Sequence, residues 1–118
     1  MSNNPGPGPI PGRFISKVLS KAADYVITAA DLFGGNLILK MNAAGGQRTV
    51  TMSPTLGSAN YSPTASVLKV DTTNNPVVIN DGSNDIDAIV TPATALGQIG
   101  GWRDVSADGS ILLSRGVG

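Results

Sequence analysis

The clearest pattern in the chain is the alternation of hydrophobic and polar residues after residue 24. Leu37, Leu39 and Met41 recur at every second position, which is the period of a strand that buries one face. Shorter segments with the same period or with a run of β-branched residues follow at intervals of roughly ten residues. The candidate strands are 25–28, 36–41, 48–52, 66–70, 76–80, 86–91 and 111–114.

Glycine, asparagine, aspartate and proline separate these candidate strands, as expected of turns. The segments 36–41 and 48–52, joined by the glycine-containing turn 42–46, predict a β-hairpin with Val50 and Met52 inward. Tight turns are also predicted at 81–84 and at Asp108-Gly109. The fold class is therefore all-β: a compact β-sandwich, prism or barrel of about seven to eight short strands.

The first 23 residues differ in composition from the rest of the chain. Residues 2–12 read S-N-N-P-G-P-G-P-I-P-G, a composition that opposes both a helix and a central strand. The segment can be a solvated tail or an extended arm that anchors the protein to a neighbouring surface, and we favour the arm. Residues 13–21, with Arg13, Lys17 and Lys21 at four-residue spacing, fit a short amphipathic helix or an extended contact segment. We thus divide the chain into an N-terminal arm and contact segment, 1–23, and a β-rich body, 24–118.

Composition argues against most enzyme classes. The chain has no Cys and no His, and all eight of its acidic residues are Asp. Thiol nucleophiles, thiolate metal sites and the commonest general base are therefore excluded. Lys and Arg balance Asp, giving a formal net charge of zero, so general attraction to nucleic acid or a membrane is not expected. We expect no catalytic residues, no cofactor and no metal.

The segment 81–87, D-G-S-N-D-I-D, is the strongest candidate for metal or acid–base chemistry. Its spacing departs from a calcium loop, because Ile86 stands where glycine is needed and Pro92 where a bidentate glutamate is needed. A strand spacing of two predicts that Asp85 and Asp87 share one face, where like charges usually meet water. We interpret the segment as a turn with solvated carboxylates.

Trp102 and Arg103 are the most suggestive surface pair. An aromatic residue beside an arginine is common at the centre of protein interfaces, and it also suits stacking against a sugar. Burial in the core or on an oligomer axis, a subunit interface and glycan binding all remain open for this pair. The glycine-rich segment 97–101 lacks the lysine of a phosphate-binding loop and is interpreted as a flexible loop or a bulge.

The order of these pieces resembles small β-rich structural modules of tailed bacteriophages, of the capsid decoration, head-fibre and tail-fibre types. The pieces that carry it are Y-V-I-T at 25–28 with Asp31, L-I-L at 37–39, N-A-A-G-G at 42–46, T-V-T-M at 49–52 with Pro54, V-L-K-V at 67–70, N-P-V-V-I at 75–79 with Asp81-Gly82, and S-A-D-G-S at 106–110. Such modules often place an aromatic after the final Asp-Gly, whereas Ile111 stands here. The resemblance implies a homotrimer on the outer surface of a virion, made in the cytoplasm of a bacterial host.

The function expected from this resemblance is that of a capsid decoration, or cement, protein that attaches to the major capsid protein and stabilises the shell. One alternative is a fibre or tail module that recognises a host glycan, and another is a cellular β-sandwich binding module unrelated to phage. The chain lacks heptads or collagen-like repeats for a fibre shaft, which favours decoration. The residues expected to contact the capsid or another partner are Pro5, Pro7, Pro9, Ile10, Pro11, Arg13, Phe14 and Lys17, and those expected at a subunit interface or ligand are Trp102 and Arg103.

Overall fold

The computed structural model describes residues 17–118, and this part of the chain confirms the all-β prediction. It contains nine strands, one helical turn and one 3₁₀ turn. The strands are β1 (Lys17–Lys21), β2 (Tyr25–Val26), β3 (Leu37–Met41), β4 (Arg48–Thr51), β5 (Thr64–Lys69), β6 (Val77–Asn80), β7 (Asp85–Ile89), β8 (Trp102–Asp108) and β9 (Ile111–Arg115). The helical turn is α1 (Ala29–Leu32), and the 3₁₀ turn spans Pro54–Leu56.

The strands form two mixed sheets. Sheet 1 has the order β9-β8-β5-β3-β1, and sheet 2 has the order β2-β4-β6-β7. The first six strands alternate between the sheets, so neighbours within a sheet are parallel: Leu37 pairs with Lys17 on one side and with Ala65 on the other. The connection between two parallel neighbours contains a strand of the opposite sheet. That strand takes the place of the helix that joins parallel strands in a βαβ unit. After β6 the chain turns back on itself, and β7, β8 and β9 complete the sheets with antiparallel pairs.

The predicted hairpin between residues 36–41 and 48–52 is wrong, because β3 and β4 lie in different sheets. The turn between them crosses the sandwich instead of reversing within one sheet. Both arrangements bury the same alternating side chains, so the hydrophobic pattern could not distinguish them. The crossing segment is held by the Asp71 carboxylate, which accepts a hydrogen bond from the Ala43 N–H at 2.9 Å.

The core lies between the sheets and consists of aliphatic and methionine side chains. The predicted inward residues Leu37, Leu39, Met41, Val50 and Met52 have no solvent exposure, which confirms the faces assigned from alternation. Burying a side chain of this size contributes roughly 1.5–3 kcal/mol. The other buried residues of this core cluster are Ile27, Leu32, Ala43, Ala65, Val67, Val77, Ile79, Ile89, Val105 and Ala107.

Several local predictions are confirmed and one is refined. The segment 81–84 is a tight turn in which the Asp81 N–H donates to the Asn84 carbonyl at 3.0 Å. Gly109, with φ of 62°, occupies the turn between β8 and β9, where a left-handed conformation favours glycine. Asp31 lies within α1, which leads directly into the turn at Phe33 and Gly34. Residues 17–21, assigned from sequence to the contact segment, form edge strand β1 of sheet 1.

Within residues 17–118, no helix is long and apolar enough to cross a membrane.

Candidate functional site

The N-terminal segment joins the body at the end of the sandwich that carries α1, which we call the α1 end. Lys17 begins β1, and its backbone N–H donates to the Asn36 carbonyl at 3.0 Å. Its ammonium donates to the Ala30 carbonyl of α1 at 2.8 Å. The other predicted contact residues, Pro5, Pro7, Pro9, Ile10, Pro11, Arg13 and Phe14, lie outside the described residues. Lys17, the first described residue, therefore lies beside Asn36, which directly precedes β3.

An apolar pocket of about 460 Å³ opens at the same α1 end. Two aromatic side chains line the pocket. Phe33 is 85% exposed to solvent and Tyr61 is 51% exposed. The Tyr61 hydroxyl donates a long hydrogen bond of 3.5 Å to the Leu32 carbonyl. We call this feature the Phe33–Tyr61 pocket. It is lined by Ala29, Leu32, Phe33, Gly34, Gly35, Leu56, Tyr61 and Pro63, of which none is charged.

The α1 turn that forms one wall of the pocket is fixed by its first residues. The Thr28 hydroxyl accepts from the Asp31 N–H at 3.3 Å, and the Asp31 carboxylate accepts from the Thr28 N–H at 2.9 Å. This reciprocal capping satisfies two backbone donors at a helix start. Tyr25 adds a third bond, because its hydroxyl donates to Asp31 at 2.7 Å. That bond, helped by burial, raises the pKa of Tyr25 to about 12.

The opposite wall comes from the loop between β4 and β5. Ser53 begins its 3₁₀ turn by accepting from the Thr55 N–H at 3.2 Å. Gly57 then lies so close to β8 that a Cβ there would stand 2.5 Å from the Ala107 carbonyl oxygen. The Ala107 N–H donates to the Pro63 carbonyl at 3.1 Å. The loop is thus pinned to sheet 1, and this holds Tyr61 beside the pocket.

The sequence pattern gave Phe33 no role. The available signal was an aromatic residue directly before two glycines, Gly34 and Gly35. A large apolar side chain in a polar turn has no strand or helix face to bury it. A contiguous exposed apolar patch of this kind often marks an interaction site.

The structure separates Trp102 and Arg103, which lie on opposite faces of β8. Arg103 faces inward, and its Nε donates to the Asp87 carboxylate of β7 at 2.6 Å. The Ser114 hydroxyl of β9 donates to the same carboxylate at 3.0 Å. These bonds join sheet 2 to sheet 1 along one open side of the sandwich. The hydrogen bond from the Arg103 guanidinium lowers the pKa of Asp87, and it outweighs burial, which acts in the opposite direction.

Asp85 and Asp87 do not share a face, contrary to the expectation from their spacing. A register shift pairs Ile79 with Asp87 and Asn80 with Asp85, so the extra residue Ile86 turns Asp85 to the outer face. There its carboxylate accepts from the Asn80 amide at 2.8 Å. The two carboxylates therefore lie on opposite faces of β7.

A polar groove of about 190 Å³ runs along the outer face of sheet 1. Asp104 lines the groove and accepts from the Ser66 hydroxyl at 2.7 Å, while the Thr64 hydroxyl donates to Asn36 at 2.9 Å. Trp102, half-buried, lies two residues before Asp104 on the same face of β8. The groove is lined by Asn36, Thr64, Ser66, Asp104, Ser106 and Arg115.

Across residues 17–118, no three His, Cys, Asp or Glu side chains lie close enough together to hold a metal ion. Two candidate surfaces for ligands or partners are the Phe33–Tyr61 pocket at the α1 end and the polar groove on sheet 1. Comparisons with protein-family models, curated proteins and solved structures find no match to this chain.

Proposed function

We propose that this chain is a non-enzymatic structural subunit of a phage particle, a capsid decoration protein that attaches to the major capsid protein and stabilises the shell. The sequence resemblance to phage modules supplies the phage and capsid parts of the proposal. The geometry that supports attachment is the entry of the N-terminal segment, through Lys17, at the end that also exposes Phe33 and Tyr61. One end of the body thus combines the point where the N-terminal segment is joined with an apolar surface.

The rest of the body suits a structural subunit. Its two sheets are held by a continuous aliphatic core, and the Arg103–Asp87 pair joins them along one side. Hydrophobic side chains remain exposed on edge strand β9, where Ile111 is 60% exposed and Leu113 is 44% exposed. An exposed apolar edge favours pairing with a second copy, which fits the homotrimer that the resemblance implies.

The test of attachment uses empty shells assembled from the major capsid protein encoded in the same genome. The full chain is expected to co-sediment with the shells and to raise their melting temperature. A variant lacking residues 2–12 is expected to keep the circular-dichroism spectrum of the body and to lose co-sedimentation. In free solution the full chain is expected to sediment as a trimer.

The matched control for the deletion replaces residues 2–12 by a glycine-serine segment of equal length. Loss of binding in both variants would assign attachment to the residues of the arm and not to its length. Full occupancy of shells by the deletion variant would contradict the anchoring role, and absence of binding by the full chain would contradict the decoration function.

The polar groove supports a second candidate, a fibre or tail module that binds a host glycan. Hydroxyl, amide, carboxylate and guanidinium groups there can exchange hydrogen bonds with sugar hydroxyls. Trp102, on the same face as Asp104, is of the type that stacks against a sugar ring. Binding of the full chain to an array of bacterial surface glycans, lost in Asp104→Ala but kept in Thr49→Ala on the other sheet, would support this candidate. Absence of any glycan signal would overturn it.

A further inference from the structure

We infer that the Phe33–Tyr61 pocket is the binding site for residues 5–11 of the same chain. The free subunit would then cover its exposed aromatic surface with its own proline-rich segment. This inference concerns the subunit before it meets any partner, so it does not depend on the capsid proposal.

The first argument is where the undescribed segment is attached. The Lys17 N–H is bonded to the Asn36 carbonyl, and Asn36 directly follows Gly35, which lines the pocket. The linker between Pro11 and Lys17 consists of residues 12–16, and five residues reach at most about 17 Å. Residues 5–11 can therefore lie over the pocket of their own body without moving any strand.

The second argument is chemical. The segment P-G-P-G-P-I-P at 5–11 has no charged residue, and none of the pocket residues is charged. Proline-rich segments bind grooves lined by aromatic residues, because proline limits the backbone freedom that binding would remove. A pocket of about 460 Å³ falls within the range of roughly 300–1,000 Å³ typical of ligand sites.

The composition of the pocket also argues against other occupants. A glycan would need several hydrogen-bonding side chains, whereas the Tyr61 hydroxyl is already directed at the Leu32 carbonyl. The segment of a second copy has the same chemistry, but a short linker gives the chain's own segment an effective concentration in the millimolar range. The same-chain contact is therefore favoured over exchange between copies.

The experiment is nuclear Overhauser spectroscopy on the uniformly labelled full chain. We expect cross-peaks between the ring protons of Phe33 or Tyr61 and the side-chain protons of residues 5–11, including the Ile10 methyl groups. A second sample mixes labelled with unlabelled protein and selects cross-peaks between molecules. The same cross-peaks are expected to be absent from that sample.

The Phe33→Ala/Tyr61→Ala variant removes the aromatic surface, and because both side chains are largely exposed the body is expected to stay folded. Its Ile10 methyl resonances should move to the positions of an unstructured peptide. Leu96→Ala is the matched control, since Leu96 is 72% exposed but lies in the loop before β8, at the other end of the sandwich. It should leave those resonances unchanged.

Two results would overturn the inference. Absence of the cross-peaks in the uniformly labelled chain would show that the pocket does not hold this segment. Their presence in the mixed sample would show that the segment comes from a second copy. Neither result bears on co-sedimentation with shells, so failure of the pocket inference and failure of the decoration function are distinguishable.

Discussion

The ammonium of Lys69 lies 2.8 Å from the carboxylate of Asp71, and neither side chain has any solvent exposure. Both oxygens of Asp71 accept from Lys69. The carboxylate also accepts from the Ala43 N–H at 2.9 Å and from the Thr73 N–H at 3.0 Å. One buried carboxylate thus joins the end of β5 to the β3–β4 connection, through Ala43, and to the β5–β6 connection, through Thr73.

Replacing Asp71 is expected to destabilise the body strongly. Asp71→Ala leaves a buried ammonium without its partner, and breaking such a pair typically costs about 3–5 kcal/mol. Lys69→Met should cost less, because Asp71 keeps the Ala43 and Thr73 donors. The free energy of unfolding in urea at neutral pH measures both variants. A larger loss for Lys69→Met than for Asp71→Ala would contradict the assignment of Asp71 as the centre of this network.

Stability is expected to fall in acid through the same carboxylate. Burial raises the pKa of Asp71, but hydrogen bonds from Lys69, Thr73 and Ala43 outweigh it and hold that pKa well below its usual range. A group whose pKa is lowered by folding contributes stability above its unfolded pKa, about 3.9 for Asp, and loses that contribution as the pH falls further. The stability difference between the natural chain and Asp71→Asn should therefore shrink below about pH 4. Urea unfolding of both proteins over this pH range measures the stability difference. A stability difference that does not change with pH would contradict the prediction.

The Asp87–Arg103 pair offers a matched comparison on a single strand. Asp87→Ala leaves the half-buried guanidinium and the Ser114 hydroxyl without their shared acceptor, which should cost about 1–3 kcal/mol. Asp85→Ala, on the outer face of the same strand, should change stability by no more than about 0.5 kcal/mol. Thermal and urea unfolding of the two variants measure the difference. Equal effects would mean that the bulge at Ile86 does not set the roles of these carboxylates.

Tyr25 is expected to ionise late in an alkaline titration. Its bond to Asp31 raises its pKa to about 12, above the unfolded value of about 10. The stability contributed by this bond is present below about pH 10 and is lost as the pH rises towards the folded pKa. Ultraviolet phenolate absorbance should show a late step that Tyr25→Phe removes and Tyr61→Phe leaves in place. If Tyr61→Phe removed the late step instead, the step would belong to Tyr61 and the prediction would be wrong.

The local sequence pattern predicted which side chains face the core more reliably than which strands pair. Leu37, Leu39 and Met41 are inward as predicted, because alternation determines the face of a strand whatever its neighbours are. The hairpin prediction failed at the next step, since a turn rich in glycine permits either a reversal or a crossing. Similarly, Asp71 stands just after β5, a common place for a turn aspartate, but its burial depends on the segment around Ala43.

Functional residues divide in the same way. The sequence by itself determined the all-β class, the aliphatic core, the proline-rich segment and the absence of Cys and His, because these follow from residue types and short-range periodicity. Only the tertiary structure decided that Phe33 and Tyr61 line one pocket, that Arg103 turns inward to Asp87 while Trp102 turns outward, and that Lys17 lies at the α1 end. Each of these depends on contacts between residues far apart in the chain, and local periodicity carries no information about such partners.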